Sequence, residues 1–299
     1  MTTIKHMTAP AYSTIADVET MKPSLNALIE EIVAPALSTD LLRRALSAGI
    51  NEITTILRAV PVAEGRLLER GIALIANLNA DLVVLSGNLR LPVTKAATEL
   101  VEMNDPKLYR SLSLDADSGG RKSYTPDLLI LNQRTEVVHL VDVKRSLGSY
   151  EVSRIAELKN RMLAAALVVP DLLYKEHRRL QAKEVRVVIL NAENQRTDID
   201  GGVWPLSHLD HLLEVEGAGE VMANMRHLFQ TRIELNWNDA LQDHRDAKVT
   251  DVAEAERLRL RGAASEIAQP AVPPELVGRG ASRPPIQIGF AQAPRAAPH

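Results

Sequence analysis

The sequence predicts a mixed α/β fold: a central mixed sheet flanked by helices, with a helical N-terminal region before it and a disordered tail after it. Three observations point there. Residues 21–79 carry helix-start residues and apolar spacings of three and four. Short β-type runs and helical stretches then alternate as far as Asn191. Residues 268–299 hold seven of the sixteen prolines among Ala, Arg and Gly, a composition that cannot build a core.

Each element follows from local chemistry. Residues 1–20 are polar and patternless and read as a flexible arm. Pro23, Ser24 and Leu25 open a first helix running to about Leu37. Ser38, Thr39 and Asp40 are N-cap types ahead of a second, and Pro61 suits the first turn of a third, over 61–79. Asp81–Leu85 reads as a strand, Ser86-Gly87-Asn88 as a turn, and Leu89–Val93 as its return. Lys95–Met103 is a short helix, followed by an irregular stretch around Gly119-Gly120. Two strands, Pro126–Leu131 and Glu136–Lys144, are joined by a short polar link, so a hairpin is expected. Tyr150–Val169 is helical through Ile155, Leu158, Met162, Ala166 and Val169, and Glu184–Asn191 is a further strand. Pro205 to about Leu241 reads as helix, broken near Gly217–Gly219. The organisation expected is an arm (1–20), a helical region (21–60), a main domain (61–245), then a charged helical piece leading into the tail (246–299).

Composition excludes several classes. The chain of 299 residues, 45% apolar, is large enough for a proper core. No run of about 18 apolar residues offers a membrane span. The N-terminus lacks the apolar stretch of a secretory signal, so a cytoplasmic location is expected. Zero cysteines remove disulfides, thiolate metal sites and cysteine nucleophiles. Aromatics at 3% disfavour binding of single strands on stacked-ring platforms.

The net charge of -3 hides an uneven distribution. From Val143 to Arg186 ten Lys/Arg face five acids, and from Arg257 to the end six Arg face two Glu. Such local basic character can hold a polyanion.

Chemistry concentrates in the middle of the chain. Asp127 stands at the mouth of one strand; Asp142 and Lys144, two apart near the end of the next, share a face. Hairpin pairing brings Asp127 towards them. Two converging carboxylates are expensive to bury unless a cation sits between them, and oxygen ligands suit Mg²⁺ or Mn²⁺. A lysine there can orient or deprotonate a water and stabilise charge on a phosphate. On the preceding helix, the stripe of Leu68, Ile72, Ile75 and Leu78 centred on Gly71 takes in Glu64 and leaves Glu69 well off it. Glu64 is therefore the preferred additional acid, with Glu69 and Glu99 as alternatives. Arg66, Glu69 and Arg70 read as a solvated face.

Pro126-Asp127, followed after fourteen residues by Asp142-Val143-Lys144, resembles the signature of the PD-(D/E)xK phosphodiesterases, the restriction-endonuclease-like superfamily. The order of elements is similar too: a helix bearing an acid, a strand meander, a helix, then a further strand, between Pro61 and Asn191. The resemblance implies a restriction-endonuclease-like core within 61–245. It implies that Asp127 and Asp142 ligate Mg²⁺ or Mn²⁺, with help from the Val143 carbonyl, that Lys144 is the catalytic lysine, and that Glu64 is the helix-borne acid and a metal ligand. Arg145, Arg154, Lys159 and Arg161 would meet the phosphate backbone, and Arg121 and Lys122 sit on a loop placed to reach it. The insertion ahead of Asp127 is long, and the Gln-three-residues-Tyr signature of some exonuclease branches is absent from helix 150–169.

The function expected is thus a metal-dependent nuclease hydrolysing or nicking DNA, with RNA left open, by attack of a metal-bound water assisted by Lys144. The alternative is a non-catalytic nucleic-acid-binding or assembly protein on the same scaffold. Duplex cutting would favour a homodimer, and the N-terminal helices or the tail could dock a protein partner. Other signals are weaker. His208 and His211 read as surface or core histidines, His139 as facing away from Asp142, and Trp204 and Trp237 as core or interface anchors.

Overall fold

Asp17 opens the helical region in a computed structural model that describes residues 12–266, except 88, 110, 111, 118–121, 178 and 194 and the side chains of 107 and 261–266. The expectations for residues 1–11, for the tail and for Gly119, Gly120 and Arg121 fall outside the described residues. After the two-residue strand β1 (Thr14–Ile15), Asp17 Oδ2 accepts the Thr20 N–H at 2.8 Å and caps α1 (Val18–Leu37). The helix therefore starts five residues before Pro23, within the stretch read as a loose arm. Next come α2 (Thr39–Ala48) and α3 (Ile50–Ala76). The break falls not before Pro61 but at Gly49, whose φ of 99° suits glycine alone. Pro61 lies inside α3; the carbonyl it leaves unpaired belongs to exposed Leu57, where water can reach it.

The sheet elements follow: β2 (Leu82–Ser86), β3 (Leu91–Val93), α4 (Lys95–Met103), α5 (Pro106–Tyr109), β4 (Lys122–Tyr124), β5 (Leu128–Asn132) and β6 (Val137–Lys144). Then come α6 (Val152–Ala166), α7 (Val169–Glu176), β7 (Glu184–Asn191), β8 (Val203–Pro205), a 3₁₀ turn (Leu206–His208), α8 (Leu209–Leu213), β9 (Val215–Glu216) and α9 (Ala218–Glu266). Five strands form one mixed sheet in the order β2-β5-β6-β7-β8. β5 runs antiparallel to both β2 and β6, while β6, β7 and β8 are parallel. The hairpin expected between 126–131 and 136–144 is present as β5–β6. The return strand expected after Gly87 is not: β2 pairs with β5, and β3 pairs instead with β4 in a separate two-stranded sheet. Part of the stretch read as helix after Pro205 is the 3₁₀ turn and β9, which pairs with β1.

Alternation along the strands divides the core in two. Leu128, Ile130, Val141, Val188 and Leu190 join a cluster with residues of α1, α3 and α9. Leu129, Leu131, Val138, Leu140 and Ile189 join another with residues of α4, α6 and α7. Helices thus flank the sheet on both faces, which is why β5 and β6 read as nearly continuous apolar runs. By contact the chain falls into two units, Met1–Ala247 and Lys248–His299. In the described part of the second, Val249, Val252, Leu258 and Leu260 are exposed. No helix among the described residues is long and apolar enough to cross a membrane.

His139 projects from the face opposite Asp142, beside Trp204, with ring centroids 6.5 Å apart. Burial, reinforced by Arg186 and opposed by Glu184, pushes its pKa down to about 4. The unfolded chain takes up this proton from an ordinary pKa of about 6.5, so His139 weakens the fold as pH falls from about 6.5 to 4. In His139→Gln the fall in Tm over that window, followed by circular dichroism, is expected to be shallower than in the wild type.

Candidate active site

Register places the acids. Leu128 lies opposite Val141 in the β5–β6 ladder, so Asp127, one step before β5, faces Asp142, one step along β6. Asp127 Oδ2 accepts the Val143 N–H at 2.6 Å, which anchors it to the neighbouring strand. Asp142 is buried, and its Oδ2 accepts from the Tyr124 hydroxyl at 2.7 Å. Its Oδ1 is also buried and meets the Lys144 ammonium as an ion pair. Asp127, Asp142 and Lys144 are therefore brought together as the alternation of strand side chains requires.

The electrostatics follow from that crowding. Burial, and then the charge of Asp142, raise the Asp127 pKa above its ordinary value, against the pull of the Val143 N–H and Lys144. Burial draws the Lys144 ammonium down, but Asp142, Asp127 and Tyr150 outweigh it, so its pKa stands above the ordinary lysine value. Lys144 is a fixed positive charge at neutral pH. Burial first, then Asp142, also raise the Tyr124 phenol, which stays a donor.

Glu64, the preferred additional acid, is engaged by other groups. Glu64 is buried, as its place on the apolar stripe predicts, yet its partners are arginines. Arg226 donates to Oε1 through Nη2 at 2.7 Å and Nε at 3.1 Å, and Arg145 stands 3.8 Å from Oε2. Glu69 instead is half-buried, and the charges of Asp127, Asp142 and Lys144 are felt there. Its pKa is pushed up to about 7 by burial and by Asp127, with Lys144 opposing and Asp142 adding. The reading of Glu69 as part of a solvated face is corrected for a simple reason. Leu78 lies beyond the end of α3 and is 42% exposed, so the true buried arc is shifted. At about 100° per residue Glu69 sits about 20° beyond fully buried Ala76, on the arc's margin. Arg70 pairs with Glu31 through both nitrogens, at 2.6 and 2.7 Å, and Arg66 is exposed. Glu99 pairs with Lys95 on exposed α4 surface.

Among the described residues no three His, Asp or Glu side chains group closely enough to cage a metal by themselves. The donor set is two carboxylates, one of them with a buried oxygen that meets only the Lys144 ammonium among the described residues. That suits a cation which takes one or two carboxylates and completes its shell with water or substrate oxygens, as Mg²⁺ does. It does not suit zinc, which calls for three or four protein ligands. Tyr124, missed in the sequence, is announced there only by its closeness to Pro126-Asp127.

The basic residues separate into two groups. Lys159 pairs with Asp198 at 3.4 Å, and Arg145 with Glu64 and Glu193. Lys122, Arg154 and Arg161 are exposed and carry no ion pair among the described residues. Lys122 and Arg161 line one groove with Asn160, Glu102 and Glu157, and the charge of Arg161 is felt at Tyr124. His208 and His211 lie side by side, ring centroids 5.7 Å apart, and Tyr12 hydrogen-bonds His211.

Two outcomes separate the glutamates. Glu64→Ala strands the mostly buried Arg226 guanidinium, so urea unfolding is expected to show a loss of about 3 kcal/mol. Glu69 behaves differently: its raised pKa means the folded state holds the proton longer, so its contribution to stability is lost as pH rises from about 4.5 to 7. Glu69→Gln is expected to match the wild-type Tm at pH 4 and exceed it at pH 8. No family model matches this chain, and neither curated proteins nor solved structures yield a match to it.

Proposed function

We propose that this protein is a divalent-metal-dependent nuclease that hydrolyses or nicks DNA phosphodiester bonds on a restriction-endonuclease-like core. The observation that carries the reading is the end of the β5–β6 ladder, where Asp127 faces Asp142 and Lys144 pairs with Asp142. Element order supports the same reading: α3, then β2, β5 and β6 as antiparallel neighbours, then α6, then β7 parallel to β6. That is the helix, meander, helix and strand of the PD-(D/E)xK resemblance.

Asp127, Asp142 and the Val143 carbonyl would hold Mg²⁺ or Mn²⁺, which when bound polarises water and neutralises phosphate charge. Lys144 keeps its proton, so it serves as a fixed charge that stabilises the developing phosphate negative charge and orients water, rather than as a base. Glu69, whose pKa burial and Asp127 push up to about 7 in the metal-free site, is a group that could take up or release a proton there. Lys122, Arg154 and Arg161 are free to hold backbone phosphates, whereas Arg145 and Lys159 must first leave acidic partners.

The test is cleavage of supercoiled plasmid and of labelled single- and double-stranded DNA and RNA, with Mg²⁺ or Mn²⁺ and with chelator. Chelator-sensitive cleavage is expected, abolished by Asp142→Asn and lowered at least roughly a hundredfold by Lys144→Ala. Absence of cleavage on every substrate, or cleavage indifferent to both substitutions, sinks the reading. A second reading, nucleic-acid binding without catalysis, is favoured by one observation: Tyr124 and Lys144 between them already engage both oxygens of Asp142. It requires steeply salt-dependent DNA binding that survives the Asp127→Ala/Asp142→Ala double substitution, with no cleavage by the wild type.

A further inference from the structure

The two acids share one design. Asp127 is tethered through Oδ2 by the Val143 N–H at 2.6 Å, and Asp142 through Oδ2 by the Tyr124 hydroxyl at 2.7 Å. The other oxygen of Asp142, Oδ1, is buried and meets the Lys144 ammonium. The tethers differ in kind. That of Asp127 is backbone, set by the strand itself. That of Asp142 is a side chain, and it comes from another sheet.

Tyr124 ends β4, which pairs with β3, Leu91 lying opposite Tyr124. Its ring is buried in the cluster that includes Leu129, Leu140 and Met162, so its direction is held by packing on the same face of the sheet as Asp142. An aspartate's terminal torsion is soft and roughly two-fold, so an untethered Asp142 carboxylate can present either oxygen or neither squarely. A donor fixed on Oδ2 removes that freedom.

We propose that Tyr124 is a positioning residue of the site: its hydroxyl holds Asp142 Oδ2 so that Oδ1 is the oxygen presented to a divalent cation. The identity of the cation rests on the nuclease reading above; the tether rests on the Tyr124–Asp142 hydrogen bond alone. A consequence is that the segment carrying β3, α4, α5 and β4, inserted between two neighbouring strands of the main sheet, completes the site rather than decorating it. Outer partners that orient a metal-binding side chain are worth 10–100-fold in metal affinity or activity, roughly, when removed.

The experiment measures Mn²⁺ binding by calorimetry to wild type, Tyr124→Phe and Asp142→Asn, each first checked for its Tm. Tyr124→Phe keeps the ring and its packing and removes only the donor. The expected result is a Mn²⁺ affinity roughly 10–100-fold weaker in Tyr124→Phe, with a Tm near that of wild type and no detectable site in Asp142→Asn. On DNA the same variant is expected to lose kcat while KM is kept, a split that a general loosening of the fold does not produce. If Tyr124→Phe binds Mn²⁺ as the wild type does while Asp142→Asn loses it, the positioning role is overturned and the nuclease reading stands. If wild type and Asp142→Asn are alike, whether both bind or neither does, the nuclease reading falls and the positioning role with it.

Discussion

Register between β5 and β6 is the constraint on which the site depends, and it is set at the far end of the hairpin. Asn132, 3% exposed at the end of β5, accepts the N–H groups of Arg134 and Thr135 on its side-chain oxygen, both at 3.0 Å. Its amide in turn donates to Glu214 at 3.0 Å, and Glu136 completes the turn in the left-handed region with φ 56°. Apolar residues on both faces would tolerate a slip, because either face accepts a Leu or a Val. The turn does not. A slip of one residue would carry Asp142 to the opposite face and leave Asp127 with no acid across from it.

An ion-pair network with a buried glutamate at its centre ties this sheet end to the helices. Arg226 of α9 bridges Glu64 of α3 and the carbonyl of Ala192, just beyond β7, which it meets at 2.8 Å. Glu64 also faces Arg145, next to Lys144, and Arg145 approaches Glu193, which bonds Ser146. The exits of β6 and β7 are thus linked to both helices through the mostly buried Glu64–Arg226 pair, with Arg145 and Glu193 joining it at the exposed edge. Such pairs stabilise little in net terms, but removing one member leaves an uncompensated charge, so they hold a single arrangement firmly.

How far the sequence could be read depends on how local each feature is. Strands β5, β6 and β7, and the acid-acid-lysine set, rest on alternation and a short turn, and both are written in consecutive residues. The basic helix after β6 is equally local. Glu69 and Tyr124 are not. Glu69 is placed by a buried arc of α3 wider than a single-stripe reading allows, because the helix packs on other helices and against β2 and β6 together. Tyr124 reaches Asp142 from a strand whose partner, β3, lies more than a helix away in the chain. The return strand assigned to β2 failed for a related reason: a turn signal at Gly87 says that the chain bends, not which strand it joins. Similarly, Pro61 marked a helix start only because its neighbours could not reveal that Leu57 faces water.

The insertion between β2 and β5 bears on the order in which the molecule assembles. The β5–β6 turn closes over only residues 133–136, whereas β2 and β5 are separated by β3, α4, α5 and β4. Closing a long segment costs more chain entropy than closing a tight turn, and distant pairings are gained late. The acid pair is therefore a product of the main sheet's tightest turn, while the hydroxyl bonded to Asp142 arrives with a segment that must be folded into place between β2 and β5.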